Sequence, residues 1–367
     1  MRSSSPPLSC RVTGDAGRQF IFDVLLGSDV TPEHARRIAD AMIEADLTGA
    51  DAHGIFRLPQ YIRAVQAGTI DPRAAPELLQ TGPSTALLDG RNSFGHLAMS
   101  IAADAAIGMA GRHGIGWVGV HRSNHAGAGA VYTSQVALSG LIGVYGAVSG
   151  INHMAPSGAS IPLLGTNPLS IAVPYSETEP LVMDMAMSVA SAGKIMRHAT
   201  QGLALPDGWV VRRQDGQALN DASQLNDGML SPMGDHKGIA LSFFIGILAG
   251  VLNGAAFGRD IPDFAAGKDA GGRTGQFIVA LDVSRFISLD TFQNELKRHI
   301  ADMEGSPRID GNEAIRLPGR QRQERRRQRQ RNGFLLPMPL VEELDALAAA
   351  LKVPALLRAA PPAASAP

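Results

Sequence analysis

Cysteine is almost absent from this chain of 367 residues. Cys10 stands alone, so no internal disulfide can form and nothing points to an oxidising compartment. Net charge is almost absent too: 33 basic residues set against 34 acidic ones leave −1 at neutral pH. No overall field therefore draws nucleic acid or an anionic membrane. The opening MRSSSPPLSC lacks the apolar core of a signal peptide. There is no internal repeat. These absences make a cytoplasmic protein the expectation, without nucleic-acid, membrane or metal partners.

Long apolar runs are scarce as well, with one exception. Residues 239–258, IALSFFIGILAGVLNGAAFG, carry no charge over twenty positions, enough to cross a bilayer. Gly246, Gly250 and Gly254 repeat at the spacing of closely packed helices. The run lacks an aromatic belt, flanking basic asymmetry and a companion segment. A helix buried inside a soluble fold, its glycines admitting a close neighbour, is therefore expected.

What the chain does have is glycine, 41 residues of it, and a regular change of texture. TPEHARRIADAMIEADLTG reads as a helix: Thr31 suits the N-cap, Pro32 the first turn, Ala35, Ile38, Ala39, Met42 and Ala45 form an apolar stripe, and Gly49 stops it. A second helix is expected from about Pro59 to Gly68. From residue 85, STALLDG, GWVGVHRS, GLIGVYGAVSG and PLSIAVP read as strands and GHLAMSIAADAAIGMAGRHG as a helix, the alternation of an α/β domain. Helical pattern returns in DTFQNELKRHIADMEG and LVEELDALAAALKV, and RAAPPAASAP reads as a disordered tail.

Between the first two helices lies DAHGIFRLP, residues 51–59. His53 can move a proton near neutral pH, and the Arg57 fork can hold a carboxylate in one orientation. Together they suggest an enzyme acting on a small acid; the plain alternative is a surface histidine beside a solvated arginine. GIGWVG, residues 114–119, spells the dinucleotide pattern, but a helix precedes it and the stretch itself reads as strand, so it is taken as a decoy. HRSNHAGAGA is better placed, after that strand and opening a helix through Gly127 and Gly129, where free N–H groups can receive a phosphate; a glycine-rich cap with a satisfied histidine at 125 is the alternative. Thr166 and Asn167 follow in a turn-rich run. Asp184 stands at a strand end, suited to ribose hydroxyls or to capping a helix. Lys237 precedes the apolar run, to meet an anion or to be solvated. RLPGRQRQERRRQRQRNG, residues 316–333, is basic but belongs to no nucleic-acid module and reads as an exposed helix.

In this order ADLTGADAHGIFRLPQY, SNHAGAGA, PLLGTNP, VMDMAMSVASAGKI, LPDGW, GDHKGIALSFF and LPGR…NGFLL resemble the malate/L-lactate dehydrogenase family over roughly residues 30–350. The resemblance implies an α/β, non-Rossmann nicotinamide-binding fold: a mixed-sheet central domain at 81–290 and a helical domain in which 291–355 pack with 1–80, with 356–367 as tail. It implies an NAD- or NADP-dependent oxidoreductase, usually a homodimer, moving hydride to or from C2 of a small 2-oxo or 2-hydroxy acid. Of the two cofactors NAD is expected, because no basic cluster adjoins Asp184 and its carboxylate would repel a 2′-phosphate. A cyclic imino acid is the alternative substrate, and an inactive relative that keeps the cofactor site is the alternative protein.

His53 and His125 match the family's acid–base histidines, His53 being preferred because it shares a loop with the carboxylate clamp Arg57. Thr166 matches a substrate contact. Cofactor contacts carry over to His125, Ala126, Gly127, Ala128, Gly129, Ser149, Asp184, Met185, Ala186, Lys237, Gly319 and Arg320. The chain departs from the family pattern at Ala52, where a relay serine is usual, at Arg320, where an acid is usual, and at Thr48, where arginine is common.

Overall fold

The computed structural model describes residues 9–191, 193–195, 198, 202–261, 273–309 and 315–356. In chain order its strands are β1 Ser9–Val12, β2 Glu77–Gly82, β3 Thr85–Asp89, β4 Ile115–Ser123, β5 Leu141–Ala147, β6 Leu169–Pro174, β7 Pro180–Met185, β8 Val210–Arg212, β9 Gly228–Leu230, β10 Thr274–Asp282 and β11 Phe334–Pro337. Its longer helices are α1 Gly14–Gly27, α2 Pro32–Thr48, α3 Leu58–Gln66, α4 Gly95–His113, α5 Gly129–Leu138, α6 His236–Ala249, α7 Leu289–Glu304, α8 Arg320–Asn332 and α9 Met338–Leu351. The expected tail lies outside the described residues from 357 onward.

The chain forms two units, residues 1–73 with 319–367 and residues 74–318. In the first, α1 and α2 pack through Phe20, Ile21, Val24, Leu25, Ile38, Met42 and Ile43, all fully buried. A Cβ on Gly17 would fall 2.8 Å from Ile43 Cδ1, so the end of the Ile43 side chain occupies the space that glycine leaves. The α2 helix starts after Thr31 with Pro32 in its first turn and ends at Gly49, left-handed at φ 85, as its pattern indicated. The β1 and β11 strands pair antiparallel and tie the two ends of the chain together.

The α7 helix falls in the second unit. The C-terminal segment expected from residue 291 therefore joins the N-terminal helices only from Gly319.

The second unit is built on a mixed sheet of order β2-β3-β4-β10-β5-β6-β7, in which β3 and β4 run parallel and the other neighbours antiparallel. Ala98, Ala102, Ala106 and Ala110 form the buried face of α4, clustered with Val118, Val120 and Ile278 of the sheet. In the GIGWVG stretch Gly114, left-handed at φ 85, caps α4, and Ile115–Gly119 is the first part of β4, where two glycines serve packing. A Cβ on Gly116 would sit 2.3 Å from the Ala106 carbonyl of α4, and one on Gly119 would sit 2.0 Å from Asn253 Oδ1.

The apolar run 239–258 departs from the expectation of one buried helix. The α6 helix stops at Ala249, and a short helical turn, Val251–Asn253, follows. Leu241, Phe243, Phe244, Val251 and Leu252 are exposed, Phe244 by 63%. The run has no polar side to say which face turns inward; the glycines decide it. A Cβ on Gly246 would meet the Phe257 ring at 2.2 Å, and one on Gly250 would meet Ala256 O at 3.0 Å. The close neighbour of Gly246 and Gly250 is thus the chain's own return, residues 256–257, whereas a Cβ on Gly254 would meet nothing within 4 Å.

Candidate active site

The 51–57 segment is two consecutive single turns of tight helix, Asp51–His53 and Ile55–Arg57, laid across the end of α2. What bends it there is Asp46. This carboxylate is almost fully buried, and its Oδ2 accepts the Ile55 amide at 2.8 Å. Gly54 lies directly against it: a Cβ at position 54 would fall 2.0 Å from Asp46 Oδ1. Burial holds the Asp46 pKa well above the usual carboxylate range, against the lowering effect of the Ile55 amide.

Arg57 is fixed from both sides. Its Nε donates to the Ala52 carbonyl at 3.0 Å, and its Nη1 donates to Gln60 Oε1. The Ala52 anchor is backbone, so it does not depend on a serine at that position.

The α8 helix buttresses the same turn. It buries no residue, yet it is docked on one side. Arg326 grips the Glu44 carboxylate with Nε at 2.7 Å and Nη2 at 3.2 Å, while Arg329 donates to the Asp46 carbonyl at 2.6 Å and pairs with Asp51. The side chain of Arg325 lies over Gly49, where a Cβ would be 2.3 Å from its Cδ. The expected solvated helix is therefore a strut. Gly319, left-handed at φ 82, caps it, and Arg320 opens it.

The His53 pKa is lowered from 6.5 to about 4. Burial of the ring is the largest cause, and the positive charges of Arg57 and then Arg322 add to it. At neutral pH the imidazole is uncharged, a state that suits accepting a proton.

The other sequence-derived candidates, apart from Gly319 and Arg320, lie in the second unit, where their contacts link them. His125 is exposed in the loop between β4 and α5. Asn124, buried before it, donates to the Ser93 carbonyl at 2.8 Å, and its own carbonyl accepts Gln276 Nε2 at 2.8 Å. The Ala126 carbonyl accepts the Tyr132 hydroxyl at 2.6 Å. Gly127 turns the chain with φ 72, and Gly129 allows the Tyr145 ring to come where a Cβ would be 2.4 Å away.

Asp184 Oδ2 accepts the Ala130 amide at 3.0 Å, so this carboxylate caps the start of α5. Ser149 Oγ and Thr166 Oγ1 are 2.9 Å apart, and Asn167 bonds the Ser149 amide through Oδ1 at 3.1 Å and the Ser242 carbonyl of α6 through Nδ2 at 2.9 Å. The Thr166 carbonyl accepts Met187 N at 2.8 Å, and the Met187 carbonyl accepts Met233 N at 2.9 Å, four residues before Lys237 in the exposed first turn of α6. Asn167 and Asp235 hold positive φ, 25 and 55, strain of the kind that persists where neighbours over-determine a loop. Hydroxyls, an ammonium, helix-start amides and one carboxylate form a donor set that fits the phosphates and ribose hydroxyls of a dinucleotide. Among the described residues no group of histidine, cysteine and carboxylate residues is placed to hold a metal.

Sequence reasoning missed Asp46, although a signal existed: it stands one turn after Met42, where an apolar residue would continue the buried stripe. It also missed Asn124 and the effect of the Arg322 charge on His53, neither of which local spacing reveals.

A family model described as malate/L-lactate dehydrogenase matches residues 12–345. The chain is 32% identical to the L-sulfolactate dehydrogenase of Methanothermobacter thermautotrophicus, over 94% of this chain and 98% of that one. It is 29% identical to delta(1)-pyrroline-2-carboxylate reductase 1 of Burkholderia ambifaria, over 88% and 92% of the two chains. The crystal structure of malate dehydrogenase from Entamoeba histolytica superposes with a TM-score of 0.89 at 30% identity, covering 94% of this chain and 99% of that one.

Proposed function

The chain belongs to the malate/L-lactate dehydrogenase family, and from that premise we propose that it transfers hydride between a nicotinamide cofactor and C2 of a small 2-hydroxy or 2-oxo acid. The observation that carries this reading is the neutral His53, at the end of the first tight turn, in the same segment as the anchored Arg57. In the oxidative direction, Arg57 holds the acid's carboxylate and fixes the orientation of C2. His53 takes the hydroxyl proton as the hydride leaves, a role worth roughly 10²–10⁴ in rate. The reverse reaction returns that proton to the carbonyl oxygen. When bound, the cofactor supplies the hydride acceptor, and Ser149, Thr166, Asp184–Ala186, Lys237 and the 125–129 turn are the residues of the second unit that would hold it, with Gly319 and Arg320 as further candidates.

NAD is the proposed preference over NADP, because the Asp184 carboxylate at the mouth of α5 would repel a 2′-phosphate. A cytoplasmic homodimer is proposed as the working form. The exposed Leu241, Phe243, Phe244, Val251 and Leu252 support it, an apolar surface that a second copy would cover. Light scattering at assay concentration checks the dimer; a monodisperse monomer argues against it.

The test of the whole reading is a screen of 2-oxo acids and cyclic imines with both reduced cofactors, followed by loss of nicotinamide absorbance. Turnover of a 2-oxo acid supports the reading. Turnover of cyclic imines alone makes the protein an imino-acid reductase, and cofactor binding without any turnover makes it an inactive relative.

A further inference from the structure

We propose that Arg329, from the C-terminal helix α8, is a positioning residue for the reaction. It pins the first tight turn of the 51–57 segment and so places both His53 and the backbone anchor of Arg57. This rests on the assignment of proton transfer to His53 and of the carboxylate clamp to Arg57. The α8 helix is polar all round and buries no residue, so no apolar face holds it in the fold. Charged contacts hold it instead, and they gather on the end of α2 and on the turn that follows.

Arg329 spans that junction with one guanidinium. Its Nη1 donates to the Asp46 carbonyl at 2.6 Å and to Asp51 Oδ1, and its Nη2 donates to Asp51 Oδ2 at 3.3 Å. The fork joins the last turn of α2 to the first residue of the Asp51–His53 turn, from 278 positions further along the chain.

The two tight turns are therefore pinned separately. The Asp46 carboxyl holds Ile55, the first residue of the second turn, and Arg329 holds Asp51, the first residue of the first. Between Asp51 and His53 lies Ala52, whose carbonyl accepts Arg57 Nε at 3.0 Å. A shift of Asp51 passes to His53 along the turn and to Arg57 through Ala52. An ion pair at the surface adds little stability. Its consequence here is geometric, because misplacing a reacting group by about 1 Å costs up to roughly a hundredfold in rate.

The ionisable groups tied to the segment are Asp46, Asp51, Arg57 and Arg329, and the charges that act on the His53 ring are those of Arg57 and Arg322. Charge and position are separable, because Arg329 and Asp51 carry opposite signs. Acting by charge, loss of Arg329 would raise the His53 pKa and loss of Asp51 would lower it. Acting by position, either loss opens the turn, solvates the ring and moves its pKa up toward the ordinary 6.5.

The experiment compares the wild type with Arg329→Gln, Asp51→Asn, the double variant and Arg329→Lys, with melting curves confirming that each folds. Arg326→Gln is the control, since it loosens α8 at Glu44 without touching the turn. Three quantities are read: the titration of the labelled His53 imidazole, kcat for the acid that turns over, and the Kd of the reduced cofactor. Arg329→Gln and Asp51→Asn are each expected to raise the His53 pKa and to lower kcat by about tenfold to a hundredfold. The double variant should be no worse than either single one, and the cofactor Kd should stay in place. Arg329→Lys keeps the charge but loses the fork, so it should recover only part of the loss. Pka shifts of opposite sign, additive losses, an equal shift in Arg326→Gln or a kcat at the wild-type level overturns the proposal and leaves the dehydrogenase reading intact. Should Arg329→Gln not fold, Asp51→Asn removes the same bonds to the turn and decides alone. If the wild type turns over no acid, the dehydrogenase reading fails separately, and the imidazole titration still decides. An upward shift in both variants then upholds the anchor, and any other pattern overturns it.

Discussion

The two candidate regions of the molecule are fixed by opposite means. The 51–57 turn is held by ionisable side chains: a buried acid behind it, a backbone-anchored arginine on it and an arginine-rich strut beside it. The region around Ser149, Thr166, Asp184 and Lys237 is held by neutral hydrogen bonds from hydroxyls, amides and carbonyls, with Asp184 as helix cap. The difference matches the two tasks proposed. A proton-transfer site gains from strong fixed fields that set the protonation state of one imidazole, whereas a cradle for a large cofactor gains from many weak, directional contacts.

The comparison breaks most visibly at the histidines. His53→Gln should lower kcat by roughly 10²–10⁴ with the fold retained, whereas His125→Gln should act mainly on cofactor binding. Steady-state kinetics on the two variants separates these roles, and the opposite pattern would assign proton transfer to His125.

Next comes Arg57→Lys, which keeps the charge but loses the fork. The KM for the acid should rise by about tenfold or more while cofactor affinity stays put. A fluorescence titration with reduced cofactor checks the second half of that statement.

Gly54→Ala tests the buried carboxylate. Its Cβ would fall 2.0 Å from Asp46 Oδ1, so overpacking should cost roughly 1–3 kcal/mol and displace both His53 and Arg57. Asn167→Ala should cost a comparable 1–3 kcal/mol by leaving buried partners unbonded, but should raise the cofactor Kd and spare the acid's KM. Chemical denaturation paired with the two affinities shows whether the regions fail independently.

Much of this arrangement was legible in the sequence. The α2 boundaries, the β4–α5 passage that carries His125 and the placing of GIGWVG in a strand after a helix all followed from caps, breakers and the order of strand and helix. Local pattern failed where a partner decides the outcome. The 239–258 run is apolar all round, so periodicity could not tell which face meets the protein, and seven of its twenty residues are exposed. Residues 320–332 are polar all round, so nothing announced that Arg326 and Arg329 would find carboxylates nearly three hundred positions earlier. Asp46 was hidden for a related reason: a lone acid on an apolar stripe gains its meaning only once Gly54 and Ile55 fold back onto it.

A last effect is on stability against pH. The unfolded chain takes up a proton on His53 near pH 6.5, and the folded protein does so only near 4. Stability should therefore fall as pH drops through that window, by at most about 3 kcal/mol from this residue. His53→Gln should flatten that part of the curve.

The most direct measurement is the titration of His53 itself, followed by nuclear magnetic resonance of the labelled imidazole in the wild type and in Arg57→Gln. A neutral ring that titrates near 4, moves upward when Arg57 is neutralised and moves upward again on saturation with the acid substrate is the result this account predicts. A ring that titrates near the ordinary 6.5 and ignores both changes would contradict it.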